Sequence, residues 1–237
     1  MNQSLENKRA LITGANRGLG FEFTRQFAAE GWRIYAACRE PASASELQRL
    51  AEASDGRIEI LPLDVTDLAI VKAAAAKLDG QAIDLLLNCA GIVGVLRQTV
   101  GNIDYASWAK VLDVNTLGPM RVTEAFADCV ARSERKLVVT ITSGMGSLAD
   151  NTSGGSIAYR SSKAAVNMVM RSLAIDLAPR DISCVLANPG WVRTDMGGAG
   201  ATLAPAESVA ALRRLIETLG PLQSGKFFHY DGREYAW

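Results

Sequence analysis

Short apolar runs and amphipathic stretches alternate along the whole chain. The apolar runs are rich in β-branched residues and predict buried strands at 9–13, 33–38, 57–62, 84–87, 136–142, 183–187 and 226–229. The stretches between them carry apolar residues at helical spacing and predict helices at 21–30, 43–54, 66–78, 105–133, 157–178 and 205–219. Alternation of this kind is typical of a doubly wound parallel sheet with helices on both faces. We therefore predict an α/β fold with three α/β/α layers.

The length and charge of the chain favour one large domain with a small-molecule partner. The 237 residues suffice to bury a substantial core, so we expect a single domain over 1–237. The 25 Lys and Arg residues balance the 25 Asp and Glu residues, which argues against a nucleic acid or an acidic membrane as partner. The first ten residues are polar, and no apolar run has the length of a membrane span. We expect a cytoplasmic protein without a signal peptide.

Residue types that serve hydrolases and metalloenzymes are scarce. The four cysteines stand singly within apolar segments, which favours buried thiols in a reducing compartment. They are Cys38, Cys89, Cys129 and Cys184. His229 is the only histidine, so a Ser-His-Asp triad or a catalytic zinc would depend on it alone. We expect neither a metal site nor hydrolase chemistry.

A glycine-rich turn joins the first predicted strand to the first predicted helix. The turn reads G-A-N-R-G-L-G, and its three glycines are Gly14, Gly18 and Gly20. Such a turn inside a βαβ unit lets the pyrophosphate of a dinucleotide approach the backbone amides at a helix N-terminus. Gly14 would permit the tight turn, and the other two would permit the close approach. The predicted sheet is therefore Rossmann-type, with a dinucleotide site at this turn.

Unusual residues follow most of the predicted strands. They are Gly14, Arg39, Asp64, Asn88, Ser143 and Pro189. In open parallel sheets ligands bind beyond the carboxyl ends of the strands, so we expect these residues to meet at one edge.

A tyrosine and a lysine lie one helical turn apart in the predicted helix 157–178. Tyr159 and Lys163 are four residues apart and so share a helix face. A nearby ammonium favours phenolate, so we expect the pKa of Tyr159 to lie below the ordinary tyrosine value of about 10. Ser143 could supply a hydroxyl to the same substrate oxygen. Alone, the pair would be read as a solvated pair on an amphipathic helix.

A complete set of motifs resembles the short-chain dehydrogenase/reductase family. The set is T-G-A-N-R-G-L-G at 13–20, Asp64, N-C-A-G at 88–91, V-N-T-L-G at 114–118, Ser143, Y-R-S-S-K at 159–163 and N-P-G-W-V-R-T at 188–194. The match runs the whole length in the family's order. The C-terminal half is most similar to the C-factor and sniffer-like carbonyl reductases, through N-P-G-W-V-R-T-D-M-G-G, P-A-E-S-V and the ending S-G-K-F-F-H-Y-D-G-R-E-Y-A-W.

The resemblance implies a catalytic set of four residues. Tyr159 would exchange the proton with the carbonyl or alcohol oxygen, and Ser143 would hydrogen-bond that oxygen. Lys163 would lower the pKa of Tyr159 and hold the nicotinamide ribose. Asn115 would bind a water through its backbone carbonyl and so connect Lys163 to solvent. The implied reaction is hydride transfer between a nicotinamide cofactor and a carbonyl compound.

The same resemblance implies which residues hold the cofactor. Asp64 would take the adenine amino group, and Thr194 would hold the carboxamide. Asn88, Ala90 and Gly91 would line the adenosine ribose. The full set is Gly14, Asn16, Arg17, Gly18, Leu19, Gly20, Arg39, Asp64, Val65, Asn88, Ala90, Gly91, Tyr159, Lys163, Pro189, Gly190, Val192 and Thr194.

The charges near the end of the second predicted strand favour NADP(H) over NAD(H). An NAD-selecting fold places an acid there to accept from the ribose 2′-hydroxyl. This chain has Cys38 followed by Arg39, with Arg17 in the glycine-rich turn. Guanidinium groups suit a 2′-phosphate, which they can bind in a bidentate manner. Glu40 is the competing residue, since it could reach the ribose and select NAD(H).

The substrate side of the site is less defined by the sequence. Candidate pocket residues are mostly apolar and suit hydrophobic ketones or aldehydes; they are Val93, Val95, Leu148, Trp191 and Met196, the last two of which could equally be core. The segment between Ser143 and Tyr159 is slightly longer than is usual in the family.

Two further expectations concern the role and the assembly of the protein. A dinucleotide-binding sensor or signalling protein on the same fold is the alternative to an enzyme, although the complete catalytic set argues against an inactive scaffold. The apolar character of the helical stretches 104–132 and 157–178 predicts a homodimer or homotetramer formed by symmetric helix packing.

Overall fold

A computed structural model describes residues 8–95 and 98–237 of the chain. It contains one parallel sheet of seven strands in the order β3-β2-β1-β4-β5-β6-β7. The strands are β1 (Arg9–Thr13), β2 (Arg33–Cys38), β3 (Ile58–Pro62), β4 (Leu85–Asn88), β5 (Leu137–Ile141), β6 (Ser183–Asn188) and β7 (Phe227–His229). The predicted doubly wound Rossmann-type fold is confirmed.

The described residues form seven α-helices, six of which pack on the two faces of the sheet. They are α1 (Gly18–Ala29), α2 (Ser45–Glu52), α3 (Leu68–Lys77), α4 (Tyr105–Leu112), α5 (Gly118–Ala131), α6 (Ile157–Asp176) and α7 (Pro205–Thr218). Successive strand residues point to opposite faces, so Ala10 and Ile12 of β1 join one hydrophobic core while Leu11 joins the other. The first core contains residues of α1, α2 and α7, and the second contains residues of α3, α5 and α6.

β1 and β4 are adjacent and parallel in the sheet. From β1 the next strands in the chain, β2 and β3, lie on one side, whereas β4 to β7 lie on the other side. A crevice therefore opens beyond their carboxyl ends, where the connections leave toward opposite faces. The glycine-rich turn follows β1 and the segment 88–91 ends β4, so the two motifs border the same crevice.

The predicted helix over 105–133 is interrupted in the structure. Residues Asp113–Leu117 form a short π-helical segment between α4 and α5. Such segments insert an extra residue into a helix and are frequent at functional sites. Asn115 lies at the centre of this segment.

Two structural absences hold for the described part of the chain. None of its helices is long and apolar enough to cross a membrane. It also contains no cluster of three or more His, Cys, Asp or Glu side chains arranged to hold a metal ion.

Candidate active site

Tyr159 and Lys163 lie in the first two turns of α6 on the same face of the helix. The side chain of Lys163 is buried, and its Nζ donates a hydrogen bond of 3.1 Å to the carbonyl oxygen of Ile141 at the end of β5. The same Nζ lies 5.7 Å from the centre of the Tyr159 ring. The strand end therefore holds the ammonium group beside the phenol.

Ser143 follows β5 and faces this pair. Its Oγ accepts a hydrogen bond of 3.1 Å from the backbone N–H of Met145. Because that bond uses a lone pair, the hydroxyl proton stays available to a substrate oxygen. The Ser143 hydroxyl also interacts with the phenol of Tyr159, so two hydroxyl groups converge.

Asn115 fixes the segment after β4 to helix α6. Its amide exchanges two hydrogen bonds with the backbone of Ile92, at 2.9 Å and 2.8 Å. It also donates to the hydroxyl of Ser162, at 3.0 Å, next to Lys163 in the sequence. The buried side chain thus links the π-helical segment to α6. Ser162 was missed by the sequence interpretation, although it lies within Y-R-S-S-K.

The pKa of Tyr159 departs from the sequence-based expectation. Burial raises the pKa of Tyr159, and the hydrogen bond with Ser143 only partly opposes this. The prediction of a lowered pKa for Tyr159 is therefore wrong, since desolvation of the phenolate dominates. Burial also lowers the pKa of Lys163 to about 8. At neutral pH Tyr159 is a protonated phenol, which is the form that can act as an acid.

The glycine-rich turn and the segment 88–91 meet backbone to backbone. Gly14 has a φ of +69°, and a Cβ at this position would lie 2.8 Å from the Cα of Ala90. The hydroxyl of Thr13 accepts hydrogen bonds from the backbone N–H groups of Cys89 and Ala90, at 3.0 Å and 3.1 Å. Thr13 is a supporting residue to which the sequence interpretation gave no role. Its position at the end of β1 was the available signal.

The N-terminus of α1 suits the pyrophosphate of a dinucleotide. Gly20 packs so closely that a Cβ there would overlap the carbonyl group of Gly14. Arg17 occupies the N-cap, where its side chain makes no capping hydrogen bond, and the first turn contains no acidic residue. The helix amides are therefore open to an anion. Asn16 and Arg17 are exposed, whereas Leu19 packs against the first core.

Two loops approach each other across the crevice mouth. A Cβ on Gly18 would lie 3.6 Å from the Thr194 side chain, in the segment after β6. Arg17 forms an ion pair of 3.2 Å with Asp195, with both side chains well exposed. The segment after β6 therefore lies near the turn after β1.

The adenosine end of the crevice carries Asp64 and Arg39. Asp64 accepts hydrogen bonds from the Thr66 backbone and hydroxyl, at 2.9 Å and 2.7 Å. Burial favours the protonated carboxyl, but these bonds and the charge of Arg39 outweigh it and lower the pKa of Asp64. Arg39 pairs with Glu40 at 3.2 Å, and both side chains are about two-thirds exposed. Cys38 is buried in the first core, so Arg39 is the first side chain beyond β2 that reaches solvent.

The remaining predicted cofactor residues line the same edge. Gly91 lies beside Asn115 and Lys163, because a Cβ there would be 3.3 Å and 3.8 Å from their Oδ1 and Nζ. Asn88 is buried and donates to the hydroxyls of Thr123 and Thr140. The others are Val65, buried after β3, and Pro189, Gly190 and Val192, which follow β6.

The predicted substrate residues are more dispersed. Val93 and Val95 line a narrow recess beside Tyr159. Leu148, Trp191 and Met196 have exposed fractions of 80%, 57% and 44%. The indole of Trp191 donates to the carbonyl oxygen of Gly197 at 2.8 Å, which orients the ring along its own loop.

Comparisons with known proteins agree with this geometry. Residues 8–202 match the sequence model of the short chain dehydrogenase family. The C-signal protein of Myxococcus xanthus is 46% identical over 167 residues, which is 70% of this chain and 100% of that protein. The carbonyl reductase Sniffer of D. melanogaster has a TM-score of 0.91 at 32% identity, covering 97% of this chain and 99% of its own. The NADPH-bound carbonyl reductase from chicken fatty liver has a TM-score of 0.90 at 34% identity, covering 98% of this chain and 100% of its own.

Proposed function

This chain belongs to the short-chain dehydrogenase family, and from that premise we propose that it transfers hydride between NADPH and a ketone or aldehyde. The observation that carries the proposal is the convergence of Tyr159, Lys163 and Ser143 at the carboxyl edge of the sheet, beside the crevice between β1 and β4. Three proton-donating groups at one point suit the developing charge on a reduced carbonyl oxygen.

Each catalytic side chain has a distinct role in the proposed reduction. Tyr159 donates its proton to the carbonyl oxygen, and its raised pKa keeps that proton in place at neutral pH. Ser143 donates a second hydrogen bond to the same oxygen. Lys163 stabilises the phenolate that remains and would hold the nicotinamide ribose. Asn115 keeps α6 in register with the segment after β4 through its bonds to Ile92 and Ser162.

The chain's own residues fit a nicotinamide dinucleotide. When bound, NADPH would supply the hydride. The uncapped N-terminus of α1 would bind its pyrophosphate, and the close contact of Gly14 with Ala90 leaves room only for glycine in that cradle. Asp64 would accept from the adenine amino group, and Thr194 would hold the carboxamide. The remaining contacts would come from Asn16, Gly18, Leu19, Gly20, Val65, Asn88, Gly91, Pro189, Gly190 and Val192.

We assign the coenzyme as NADP(H), with NAD(H) as the alternative. Arg39 presents an exposed guanidinium group at the adenosine end, and Arg17 presents one from the glycine-rich turn. Their ion pairs with Asp195 and Glu40 are exposed, so breaking them costs little, about 0–1 kcal/mol each. A 2′-phosphate would accept charge-assisted hydrogen bonds in their place. The NADPH bound in the chicken carbonyl reductase supports this assignment.

The substrate is proposed to be a hydrophobic ketone or aldehyde. Val93 and Val95 beside Tyr159 give the recess an apolar wall. Leu148, Trp191 and Met196 lie on the loops that follow β5 and β6, from which a bulkier substrate could be covered.

A signalling role is the second candidate, because a relative of 46% identity is named C-signal. A panel of aliphatic and aromatic ketones and aldehydes, assayed with NADPH and NADH by nicotinamide absorbance, separates the two candidates. We expect turnover with NADPH on at least the apolar members of the panel. Tight NADPH binding without turnover of any member would favour the sensor and contradict the enzyme.

We also propose that residues 1–237 form one domain that assembles as a symmetric homodimer or homotetramer. Leu117, Met168 and Ile175 have exposed fractions of 48%, 67% and 64% on the helical face formed by the π-helical segment and α6. Apolar side chains exposed on neighbouring helices suit a two-fold interface. Light scattering that records only a 25.3 kDa species at micromolar concentration would contradict the assembly.

A further inference from the structure

The C-terminal hairpin, residues 227–237, folds back along the outer edge of the sheet. The backbone N–H of Tyr235 donates to the carbonyl oxygen of Phe227 at 2.7 Å, and that of His229 donates to Arg233 at 2.8 Å. These bonds give the last strand an antiparallel neighbour and cover its free edge. The end of the described chain is therefore attached to the sheet.

Aromatic packing anchors the same hairpin. The Phe227 ring is fully buried, and its centre lies 5.0 Å from the Tyr235 ring and 5.8 Å from the Trp237 ring. The His229 ring stacks on Tyr235 at 5.7 Å. Rings at these separations stabilise one another beyond the area that they bury. Tyr235 and Trp237 therefore have defined positions.

These two residues contact the loop 144–156, which joins Ser143 to α6. The Tyr235 hydroxyl donates a hydrogen bond of 2.6 Å to a carboxylate oxygen of Asp150. The carbonyl oxygen of Trp237 accepts from the backbone N–H of Ala149 at 2.8 Å. One side-chain bond and one backbone bond thus join the hairpin to the middle of the loop.

The hairpin also reaches the beginning of that loop. A Cβ at Gly144 would lie 2.7 Å from the Tyr235 hydroxyl oxygen, so the tyrosine packs directly on the residue after Ser143. The Ser147 hydroxyl donates to the Trp237 carbonyl oxygen at 3.1 Å. The contacts therefore extend from the neighbour of the catalytic serine to Asp150.

The other end of the loop is held independently. Arg160, which follows Tyr159 in α6, donates to the carbonyl oxygen of Gly154 at 3.0 Å and to the Ser153 hydroxyl at 2.8 Å. The loop between the two catalytic hydroxyls is thus fixed from both sides. Its Ser143 side depends on residues more than eighty positions away in the sequence.

We propose that the C-terminal hairpin is a positioning element for carbonyl binding, with the Tyr235–Asp150 hydrogen bond as its specific contact. The inference rests on the function proposed above. The proton-transfer groups have contacts of their own, from Met145 to Ser143 and from Lys163 to Ile141. Loss of the Tyr235–Asp150 bond therefore moves the wall of the carbonyl pocket and leaves the chemistry in place.

Tyr235→Phe, Asp150→Ala and the double variant test the proposal. For a bulky carbonyl substrate we expect KM to rise about three- to tenfold, because the variants lose one partly exposed hydrogen bond to a charged acceptor. We expect kcat to change less than about twofold and the Kd of NADPH to stay constant. The double variant should be no worse than either single variant, because both remove the same bond. Asp150→Asn keeps an acceptor oxygen and should recover part of the loss.

Tyr230→Phe is the matched control. It removes a hydroxyl from the same hairpin, and that hydroxyl makes none of the hydrogen bonds found among the described residues. Its KM should equal that of the wild type. A fall in kcat at constant KM in Tyr235→Phe would overturn the proposal, because a general loss of folded enzyme lowers kcat alone.

Hydrogen exchange provides a readout that needs no turnover. The backbone N–H of Ala149 should exchange faster in Tyr235→Phe than in the wild type, while strand amides in β5 should not change. If the wild type reduces no carbonyl but this acceleration occurs, the proposed function fails and the positioning role stands. If the exchange at Ala149 is unchanged, the positioning role is wrong whatever the activity.

Discussion

The cofactor half and the substrate half of the site are built by different kinds of contact. Around the cofactor crevice, backbone meets backbone: Gly14 packs on Ala90, and Thr13 bonds two amides of the segment after β4. Around the substrate recess, exposed side chains such as Leu148 and Trp191 stand on loops. The loop after β5 is held by a distant part of the chain, the C-terminal hairpin, whereas Trp191 bonds within its own loop.

This difference indicates at which positions of the site the structure restricts the choice of residue most tightly. An approach as close as that of Gly14 to Ala90 admits only a residue without a Cβ, so the cofactor half leaves a glycine signature. A side-chain contact on a loop tolerates many residues at little cost in stability. Under the proposed function, the hydride-transfer chemistry would therefore be fixed, while the substrate could vary through changes in the loops after β5 and β6. Tyr159 and Lys163 on α6, the pair proposed to act in catalysis, lie between the two halves.

The largest expected effect tests the proposed role of Tyr159 as the proton donor. Tyr159→Phe keeps the ring and its packing but removes the transferable proton. We expect kcat/KM for carbonyl reduction to fall by about 10²–10⁴-fold, as is typical of a general acid, with the Kd of NADPH nearly unchanged. Stopped-flow or steady-state absorbance at the nicotinamide band measures the first quantity, and fluorescence titration the second. Reduction at close to the wild-type rate would remove Tyr159 from the mechanism.

The next prediction compares two glycines of the same conformation, one in each half. Gly14 and Gly198 have φ values of +69° and +74°, but only Gly14 has backbone atoms within 4 Å of an added Cβ. Gly198→Ala should cost roughly 1–2 kcal/mol of unfolding free energy, from left-handed strain alone. Gly14→Ala should cost about 1–3 kcal/mol more, through overpacking against Ala90, and should abolish tight NADPH binding.

Thermal unfolding and NADPH titration of both alanine variants measure this contrast. Gly198→Ala is the matched control, since it carries the same strain without the contact. Equal losses of stability and cofactor affinity in the two variants would mean that the close approach of Gly14 to Ala90 does not build the crevice.

A smaller effect is expected at the adenosine end. Arg39→Ala should weaken NADPH by roughly 10- to 150-fold, since a hydrogen bond to a charged group contributes about 1.5–3 kcal/mol. NADH lacks the 2′-phosphate, so its binding should hardly change. Arg39→Asp should go further by repelling the phosphate and accepting from a 2′-hydroxyl. Position 39 is preferred to Cys38 for this test, because Cys38 is buried in the core.

The ratio of kcat/KM for NADPH over NADH measures the coenzyme preference in each variant. Arg57→Ala is the control, as Arg57 is exposed just before β3, at the opposite end of that strand from the crevice. A wild type that already prefers NADH would contradict the assignment of Arg17 and Arg39 and would favour Glu40 as the ribose ligand.

The two halves also differ in how far the sequence predicted them. The parallel doubly wound sheet, the glycine-rich turn after β1 and the placement of the site at the carboxyl ends of the strands follow from continuous apolar runs, helical patterns and glycine spacing. The π-helical interruption at Asp113–Leu117 could not be read from a continuous apolar stripe. Contacts such as Tyr235 to Asp150 depend on tertiary packing across the sheet edge, so no local pattern encodes them. The prediction for the pKa of Tyr159 was wrong because it used only the four-residue spacing to Lys163. The burial that raises this pKa depends on the whole fold and cannot be seen in that spacing.

The smallest expected effect concerns the cost of burying Lys163. Its pKa is lowered to about 8 by burial, against 10.5 in its ordinary state, so the folded apoprotein binds fewer protons than the unfolded chain between these values. The contribution of Lys163 to the stability of the apoprotein should therefore rise as pH increases from about 8. The four cysteines, whose pKa values are raised by burial, contribute in the opposite direction in the wild type and in a Lys163 variant alike, so the difference between the two proteins reports the lysine. Between pH 8 and about 9.5, before tyrosines titrate, the rise from Lys163 should be about 1–2 kcal/mol.

Lys163→Met removes the buried charge, so its unfolding free energy should lack this rise and should exceed that of the wild type at pH 7. Urea unfolding of both proteins without cofactor at several pH values gives the comparison. The same variant should lose carbonyl reduction and bind NADPH more weakly. The substitution would then make the protein more stable while it removes the proposed activity. If the unfolding free energies of the two proteins change with pH in parallel, burial of the Lys163 charge does not destabilise the folded apoprotein, and the prediction is wrong.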